Sequence, residues 1–290
     1  MQLWFHEVGH HHFGLQFAVR QTLCQVRSEF QEIAILETEG FGKMMVLDGC
    51  VMLTERDEFF YHEMLAHPAL CVHPSPTRVL VIGGGDGGTV REVLRHPGIQ
   101  HVDLVELDEQ VVRVAKKYLP ALSTGLNDSR VSVHFEDGVA FLQNAQEPYD
   151  VILIDSTDPV GPASGLIQTA FFQNCQRAMH PDGILVMQSE SPFLHSKELI
   201  TIHQNLKPVF HRPQLYLTPM ISYPSGWWSF TWASHTHHPK QLKTQRAQKL
   251  CTALKYYNPD IHHAALALPN FVQELFQTEH ANDSSQVESK

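Results

Sequence analysis

The sequence predicts an α/β protein in which a small antiparallel β domain precedes a parallel β-sheet flanked by helices. Before about Glu58 the chain alternates apolar and polar residues between turn signals, as β-hairpins do. From Arg78 onward, apolar runs typical of buried strands alternate with helical stretches. The first of these runs ends in Gly83, Gly85 and Gly88, which fit the G-x-G-x-x-G turn of a Rossmann-like sheet.

The N-terminal β-hairpin domain is predicted over residues 1–56. The Asp48–Gly49 pair and the stretch EGFG supply turn chemistry between short strands, and no helical period is sustained there. The alternating stretches of this domain are FAVRQTLCQVRS and QEIAILET. A helix is expected next, in ERDEFFYHEMLAHPAL, and Pro68 is expected to end it.

The Rossmann-like catalytic domain is predicted over residues 57–278, and its elements follow one another in a regular order. Its strands are predicted in RVLVI, HVDLVEL, RVSVHF, YDVILI and ILVMQS, and LYLTPM and WWSFTWAS are expected to continue the same sheet. The helices between them are predicted in TVREVLRH, DEQVVRVAKKYL, GVAFLQNA and TAFFQNCQRAMH. The polar residues 279–290 predict a disordered tail.

The composition excludes several classes of partner. With 31 acidic and 21 basic residues, the net charge of -10 gives no electrostatic basis for binding nucleic acid or an anionic membrane. The five cysteines are scattered without a C-x-x-C pair, which is typical of a reducing compartment. The chain contains no signal-peptide pattern and no apolar stretch of membrane-spanning length. We therefore expect a cytoplasmic protein.

The chain contains 20 histidines, including the run His10–His12 and the stretch HTHH that ends at His238. Neither group has the spaced pattern of a catalytic zinc site, because consecutive residues on a strand point to opposite faces. We interpret them as solvated or packed histidines and predict no metal site. Their role, if any, stays open.

Asp86 lies inside the glycine turn, and its charge restricts the ligand of that turn. A dinucleotide would place a pyrophosphate there, and two like unit charges about 4 Å apart repel by roughly 4 kcal/mol at an effective dielectric constant of ~20. A nucleoside that carries a positive charge reverses the sign of this interaction. Sulfonium nucleosides of the S-adenosylmethionine type meet this condition.

Four successive predicted strands end in acidic residues. Ligands of open parallel sheets bind beyond the carboxyl ends of the strands, so these acids are expected to line one crevice. Glu106, about 20 residues after the glycine turn, is placed to accept hydrogen bonds from ribose hydroxyls. For any single aspartate the alternative is a helix cap or a turn. The acids are Asp86, Glu106, Asp137, and the pair Asp155 and Asp158.

These residues resemble the spermidine synthases, a family of polyamine aminopropyltransferases. The resemblance extends from the N-terminal β domain to about residue 275. It is found in VLVIGGGDGGTVREVLRH, VELDEQVV, EDGVAFL, YDVILIDSTDPVGPA, ERDEFFYHEM and YYNPDIHHAALALP. It implies a methyltransferase-type α/β fold, a homodimer or homotetramer, and no metal or redox cofactor. The implied reaction transfers aminopropyl from decarboxylated S-adenosylmethionine to putrescine, giving spermidine and 5'-methylthioadenosine.

The resemblance also implies roles for individual residues. Asp155 accepts the amine proton. Residues of the nucleoside site are Gln31, Glu106, Asp137, Gly138 and Pro162. Residues of the polyamine site are Tyr61, His62, Asp86, Asp155, Asp158, Gln188 and Tyr223. For Gln188 and Tyr223 the alternative is packing of a strand end and of a turn.

The chain departs from the family pattern at Ser164–Gly165, where many relatives have an acidic residue, and at the bulky Trp227–Trp228 pair. Both positions leave the acceptor open among putrescine, cadaverine, agmatine and spermidine. An S-adenosylmethionine-dependent methyltransferase is the first alternative function, although Asp86 would repel the carboxylate of that donor. A non-catalytic polyamine-binding protein is the second.

Overall fold

A computed structural model of the chain describes residues 2–8, 13–159 and 161–277, with the side chains of Val8 and Pro162 excepted. The histidine run at 10–12 and the predicted tail at 279–290 therefore lie outside the described residues. Within the described ranges, no helix is both long enough and apolar enough to cross a membrane.

The N-terminal part of the chain forms a five-stranded antiparallel sheet in which each strand pairs with the next. The turn between the last two strands places Asp48 at φ 46° and Gly49 at φ 85°, as a tight type I′ hairpin requires. The predicted β domain is confirmed. Its strands are β1 (Leu3–Val8), β2 (Gly14–Arg27), β3 (Glu32–Thr38), β4 (Lys43–Leu47) and β5 (Cys50–Thr54).

The second sheet has seven strands in the order β11-β12-β10-β9-β6-β7-β8. Strands β6 to β10 pair in parallel, and β11 and β12 join the β10 edge in antiparallel pairs. The prediction that the late apolar runs continue this sheet is confirmed. The strands are β6 (Arg78–Gly83), β7 (His101–Glu106), β8 (Val131–Phe135), β9 (Tyr149–Asp155), β10 (Met179–Gln188), β11 (Gln214–Pro219) and β12 (Trp227–Ala233).

Helices connect the parallel strands and cover the sheet. The α-helices are α1 (Glu58–Val72), α2 (Gly88–Leu94), α3 (Glu109–Tyr118), α4 (Pro120–Ser123), α5 (Gly138–Asn144), α6 (Thr169–Arg177), α7 (Ser196–Leu206), α8 (Thr244–Cys251) and α9 (Pro259–Ala265). Short 3-10 helices span Thr124–Asn127 and Gly161–Ile167.

The expectation that Pro68 ends helix α1 is wrong, because the helix continues to Val72. A proline inside a helix leaves the carbonyl four residues earlier without its N–H donor. Here that carbonyl belongs to Met64, and the hydroxyl of Tyr216 donates a hydrogen bond to it over 2.8 Å. A side chain from β11 thus replaces the missing backbone bond, which the local sequence could not reveal.

The two sheets are joined through helix α3. Its apolar residues Val111, Val114 and Ala115 belong to one buried cluster with Ile35 and Met45 of the N-terminal sheet. This packing holds the N-terminal sheet over the carboxyl ends of the parallel strands. Strand β6 lies between β9 and β7, so the chain reverses its strand order at the point where such folds bind ligands.

Candidate active site

A crevice opens at the carboxyl ends of β6, β7 and β9, below the N-terminal sheet and beside the first turns of helix α1. Most of the side chains predicted from the sequence meet in it. The predicted residues that line the crevice are Gln31, Tyr61, His62, Asp86, Glu106, Asp137, Gly138, Asp155 and Tyr223.

The glycine turn allows the backbone to pass close to Asp155 and Glu106. Gly83 has φ +79° and pairs with Asp155 in the sheet, and a Cβ atom there would lie 2.1 Å from the Asp155 carbonyl oxygen. A Cβ atom on Gly85 would lie 2.8 Å from Oε2 of Glu106. The glycines are therefore required by the packing of the acids around the turn, whatever ligand binds there.

Asp86 belongs to a chain of ionic contacts that leads away from the crevice. Its Oδ1 accepts a hydrogen bond from the amide of Gly88 over 2.7 Å and lies 3.3 Å from Nε2 of His62. The other ring nitrogen of His62 lies 2.6 Å from Oε2 of Glu58. Arg91 donates two hydrogen bonds to the two oxygens of that Glu58 carboxylate, over 3.1 and 2.8 Å.

Two acids thus flank the buried imidazole of His62. Burial alone would lower the pKa of His62, but Asp86 and Glu58 outweigh it and raise that pKa well above its usual value. Burial would likewise raise the pKa of Asp86, but the charge and hydrogen bond of His62 lower it. At neutral pH the pair is an imidazolium and a carboxylate.

Asp155 ends β9 next to this pair. The hydroxyl of Thr89 donates a hydrogen bond to its Oδ2 over 2.6 Å, and the Tyr61 hydroxyl also bonds to the carboxylate. Burial first, and the negative charge of Asp86 second, raise the pKa of Asp155 above its usual value. Asp155 is therefore a stronger proton acceptor than an exposed aspartate.

Glu106 ends β7 on the other side of the glycine turn. Its two carboxylate oxygens accept hydrogen bonds from the amides of Gly85, over 3.1 Å, and Asp108, over 3.0 Å. Burial raises the pKa of Glu106 to about 7, although these two amides act in the opposite direction. The carboxylate is fixed in place and faces the crevice.

The remaining predicted nucleoside residues are placed by local caps. The side-chain amide of Gln31 donates to Oδ2 of Asp108 over 3.0 Å, and Asp108 caps helix α3 by accepting from Gln110. Asp137 caps helix α5, with Oδ1 accepting from the amides of Val139 and Ala140. The helix-cap alternative thus holds for Asp137, whose carboxylate also lines the crevice.

Two predicted residues, Asp158 and Gln188, lie beside the crevice rather than on its lining. Gln188 donates to the carbonyl oxygens of Ser156 and Thr157, over 3.2 and 3.4 Å, and so supports the loop that carries Asp158. This is the packing role that the sequence left open for Gln188. Pro162 belongs to the 3-10 helix of the same loop, and its side chain lies outside the described part of the structure.

Sequence reasoning missed two acids near Asp158. Glu7 on β1 and Glu190 just after β10 are buried, with exposed fractions of 7% and 1%. Burial first, and the charge of Asp158 as well, raise the pKa of Glu190 well above its usual value and that of Glu7 to about 7. No local pattern marks Glu7, because Asp158, whose charge acts on it, is 151 positions away in the chain. Glu190 has a positive φ of 66°, which is unusual for this residue type, but this feature is seen only in the structure.

One group of potential metal ligands lies in the crevice. His62, Asp86 and Asp155 each offer a donor atom, and these atoms lie within 4.8 Å of one another. All three side chains already have protein partners, in Glu58, Gly88 and Thr89. Two of the three are acids beside a cationic imidazole, an arrangement that also suits a cationic organic ligand.

Comparisons with known proteins agree with this geometry. The family model described as the spermine/spermidine synthase domain matches residues 58–244, and the spermidine synthase tetramerisation domain matches residues 3–55. The chain is 44% identical over 275 residues to a polyamine aminopropyltransferase of Moorella thermoacetica, covering 95% of this chain and 96% of the relative. It is 46% identical over 280 residues to one of Alkaliphilus metalliredigens, covering 96% and 99%.

Solved structures give the same result. A spermidine synthase in complex with the transition state analogue AdoDATO superposes with a TM-score of 0.93 at 39% identity, covering 95% of each chain. The spermidine synthase of Thermotoga maritima superposes with a TM-score of 0.90 at 38% identity, covering 95% of this chain and 94% of the other. The family resemblance and the predicted fold are confirmed. The chain belongs to the spermidine synthase family of polyamine aminopropyltransferases.

Proposed function

We propose that the enzyme transfers the aminopropyl group of decarboxylated S-adenosylmethionine to putrescine, giving spermidine and 5'-methylthioadenosine. The observation that carries this proposal is the pairing of two roles in one crevice. Asp86 and Glu106 offer charge to a cationic nucleoside, while the neighbouring Asp155 is a half-buried carboxylate with a raised pKa. A donor site thus lies next to a proton acceptor.

The donor is proposed to bind along the glycine turn. Glu106 would accept hydrogen bonds from the ribose hydroxyls, with Gln31 nearby, and Asp137 and Gly138 would contact the adenine. Pro162 would lie against the nucleoside. Asp86 would face the ammonium of the aminopropyl tail. Intact S-adenosylmethionine carries a carboxylate next to that ammonium, and the decarboxylated donor does not. Repulsion of that carboxylate would select the decarboxylated donor.

The acceptor is proposed to span two different environments. Its far ammonium would meet the acids Glu7, Asp158 and Glu190. The pKa values of the two glutamates are raised because they are buried without enough compensating positive charge. Its reacting amine would lie between the aromatic rings of Tyr61 and Tyr223, beside Asp155. Apolar walls lower an amine pKa and acids raise it, so the two ends of the diamine differ in protonation.

The chemistry requires a neutral amine. Deprotonating an alkylamine with a pKa of ~10.4 at pH 7 costs about 4.6 kcal/mol, from roughly 3.4 pH units at 1.36 kcal/mol each. The amine lone pair attacks the carbon next to the sulfonium, and the carbon–sulfur electron pair leaves with sulfur as a neutral thioether. Asp155 takes the proton of the new ammonium, a general-base step typically contributing ~10²–10⁴-fold. Alignment of the two substrates supplies a further part of the rate.

No cofactor is proposed, because the leaving group is a neutral thioether and the sulfonium already activates the carbon. Decarboxylated S-adenosylmethionine is a co-substrate in this scheme. His62 is proposed to hold the Asp86 carboxylate in place from the rear, where Glu58 keeps the imidazole charged.

The acceptor is tested with a panel of amines assayed by methylthioadenosine release. Putrescine is expected to give the highest kcat/KM, above cadaverine, agmatine and spermidine. A higher kcat/KM for another amine would leave the aminopropyl transfer in place and overturn the choice of acceptor. Binding of the nucleoside without any product would instead support the non-catalytic alternative.

We also propose that the protein is a cytoplasmic homodimer or homotetramer. Leu3 and Trp4 on β1 are 53% and 48% exposed, and Phe13 just before β2 is 47% exposed, within the matched tetramerisation domain. An exposed apolar edge strand of this kind favours contact with another copy. Light scattering is expected to give a dimer or a tetramer, and a Trp4→Ser variant is expected to dissociate at higher concentration than the wild type.

A further inference from the structure

A second group of potential metal ligands lies at the opposite edge of the parallel sheet. It consists of His73 after helix α1, Asp182 at the start of β10 and His237 after β12, with donor atoms within 4.8 Å of one another. Asp150 near the start of β9 is its neighbour. Asp155 at the other end of β9 is five residues away, which at about 3.3 Å per residue separates this cluster from the active site by roughly 17 Å.

The two histidines of the cluster lack the partners that buried imidazoles need. His73 is 3% exposed, and neither of its ring nitrogens has a hydrogen-bond partner among the described residues. Nε2 of His237 is also buried without a partner in that part of the chain. Buried polar atoms without partners carry a free-energy cost, so several of them facing one point indicate a missing ligand. The active-site group differs, because its donors are all paired.

The carboxylates complete a set of donors. Nε2 of His73 lies 3.8 Å from Oδ2 of Asp182 and 3.9 Å from Oδ1 of Asp150. The other oxygen of Asp150 accepts hydrogen bonds from the amides of Thr77 and Arg78, which fixes Oδ1 toward His73. Donors about 2.0–2.1 Å from a tetrahedral Zn²⁺ lie roughly 3.4 Å apart, and rotation of the half-exposed Asp182 closes the remaining distance.

The backbone around the third ligand is also held in place. The indole of Trp232 donates to the carbonyl of His237 over 3.1 Å, and the hydroxyl of Ser234 accepts from its amide over 3.1 Å. The stretch HTHH thus has a member with a defined place in the fold.

We propose that His73, His237 and Asp182, with Asp150 as the fourth donor or its support, form a structural site for a divalent transition metal, Zn²⁺ by ligand type. Imidazole and carboxylate donors in a closed set suit this ion. The metal joins the end of helix α1 to the starts of β9 and β10 and to the segment after β12. Because Tyr61 and His62 lie at the other end of the same helix, the site anchors the helix that carries them.

Calorimetric titration of the metal-free full-length enzyme with Zn²⁺ tests the proposal. One site per chain with a Kd below about 1 μM is expected, and His237→Ala and Asp182→Asn are each expected to weaken it by at least about 100-fold. His238→Ala is the matched control, since its ring nitrogen Nδ1 accepts from the amide of Lys240 instead. That variant, and one with the histidines at 10–12 replaced by alanine, are expected to retain the affinity within about 3-fold.

Asp155→Asn separates this site from the active site, and it too is expected to bind Zn²⁺ like the wild type. Saturating Zn²⁺ is expected to raise the Tm of wild type and Asp155→Asn by about 5 °C or more, and to leave the Tm of His237→Ala unchanged. Equal Zn²⁺ affinity in wild type and His237→Ala, or loss of binding in Asp155→Asn, would overturn the assignment. Asp182→Asn keeps the test decisive if His237→Ala folds poorly, because Asp182 is half-exposed.

Discussion

Nε2 of His62 lies 3.3 Å from Oδ1 of Asp86, so this carboxylate, which lines the crevice, already has a cationic partner. Glu58 holds the other side of the same imidazole, and Arg91 holds Glu58. The order of charges is therefore alternating, from Asp86 through to Arg91. A donor ammonium that approaches Asp86 adds a second cation to the carboxylate without displacing the first.

The first prediction concerns donor selection by Asp86. In Asp86→Asn, affinity for the decarboxylated donor is expected to fall while affinity for intact S-adenosylmethionine holds or rises. The ratio of the two is expected to shrink by ~10-fold or more, about 1.4 kcal/mol. Neutral methylthioadenosine lacks the amine and serves as the control. Equal weakening of all three nucleosides in competition binding would mean that Asp86 only shapes the glycine turn.

The second prediction concerns the proton acceptor. Asp155→Asn keeps the shape of the side chain and can still accept the hydrogen bond from Thr89. It is expected to lower kcat by ~10²-fold or more while leaving methylthioadenosine affinity nearly intact. Steady-state kinetics with both substrates saturating gives the measurement. Turnover close to wild type would remove Asp155 from the mechanism.

The third prediction concerns the nucleoside site and its pH dependence. Glu106→Gln removes a charge-assisted hydrogen bond to ribose and is expected to weaken methylthioadenosine by roughly 1.5–3 kcal/mol at pH 8. Because the pKa of Glu106 is about 7, wild-type affinity is expected to increase as pH rises through 7. The variant is expected to lose this increase. Calorimetry at several pH values checks both, and parallel pH profiles would contradict the assignment.

The fourth prediction concerns stability and follows from the same residue. The folded pKa of Glu106, about 7, exceeds its ordinary value of 4.5, so the folded state holds a proton that the unfolded state releases between these values. This contribution to the free energy of unfolding therefore falls as pH rises from 4.5 to 7. Without ligand, Glu106→Gln is expected to be more stable than wild type at pH 8. At pH 4.5 this gain in the free energy of unfolding is expected to be smaller. Denaturant unfolding at both pH values measures it, and a variant less stable at pH 8 would oppose the burial argument.

The fifth prediction concerns the acids that we propose bind the far end of the acceptor. Glu7→Gln and Glu190→Gln are each expected to raise the KM for putrescine by about 10-fold, as loss of one charged hydrogen bond does, with methylthioadenosine affinity unchanged. Glu39→Gln is the control, because Glu39 is an exposed glutamate just after β3 that pairs with Arg20. An unchanged KM in both test variants would place the acceptor elsewhere.

The parts of the fold and site that depend on local pattern could be predicted from the sequence. Apolar runs gave the strands, the Asp48–Gly49 pair gave its turn, and acids after successive strands gave Asp86, Glu106 and Asp155. Parallel strands bring such acids to one edge, so their meeting followed from the order of elements.

Features that depend on distant contacts could not be predicted. Pro68 does not end its helix, because the hydroxyl of Tyr216 from β11 donates the hydrogen bond that the missing N–H cannot. The charge of Asp158 acts on Glu7 from 151 positions away, and His73 meets His237 across 164 positions of the chain. Spacing rules search for ligands that are close in sequence, so they detect none of these pairs.

The most direct test is a comparison of donors with the wild-type enzyme. Incubation with decarboxylated S-adenosylmethionine and putrescine, followed by mass spectrometry, is expected to give spermidine and 5'-methylthioadenosine in equal amounts. Intact S-adenosylmethionine with the same amine is expected to give neither product. Formation of a methylated amine and S-adenosylhomocysteine from the intact donor, with no spermidine from the decarboxylated one, would contradict the proposed aminopropyl transfer.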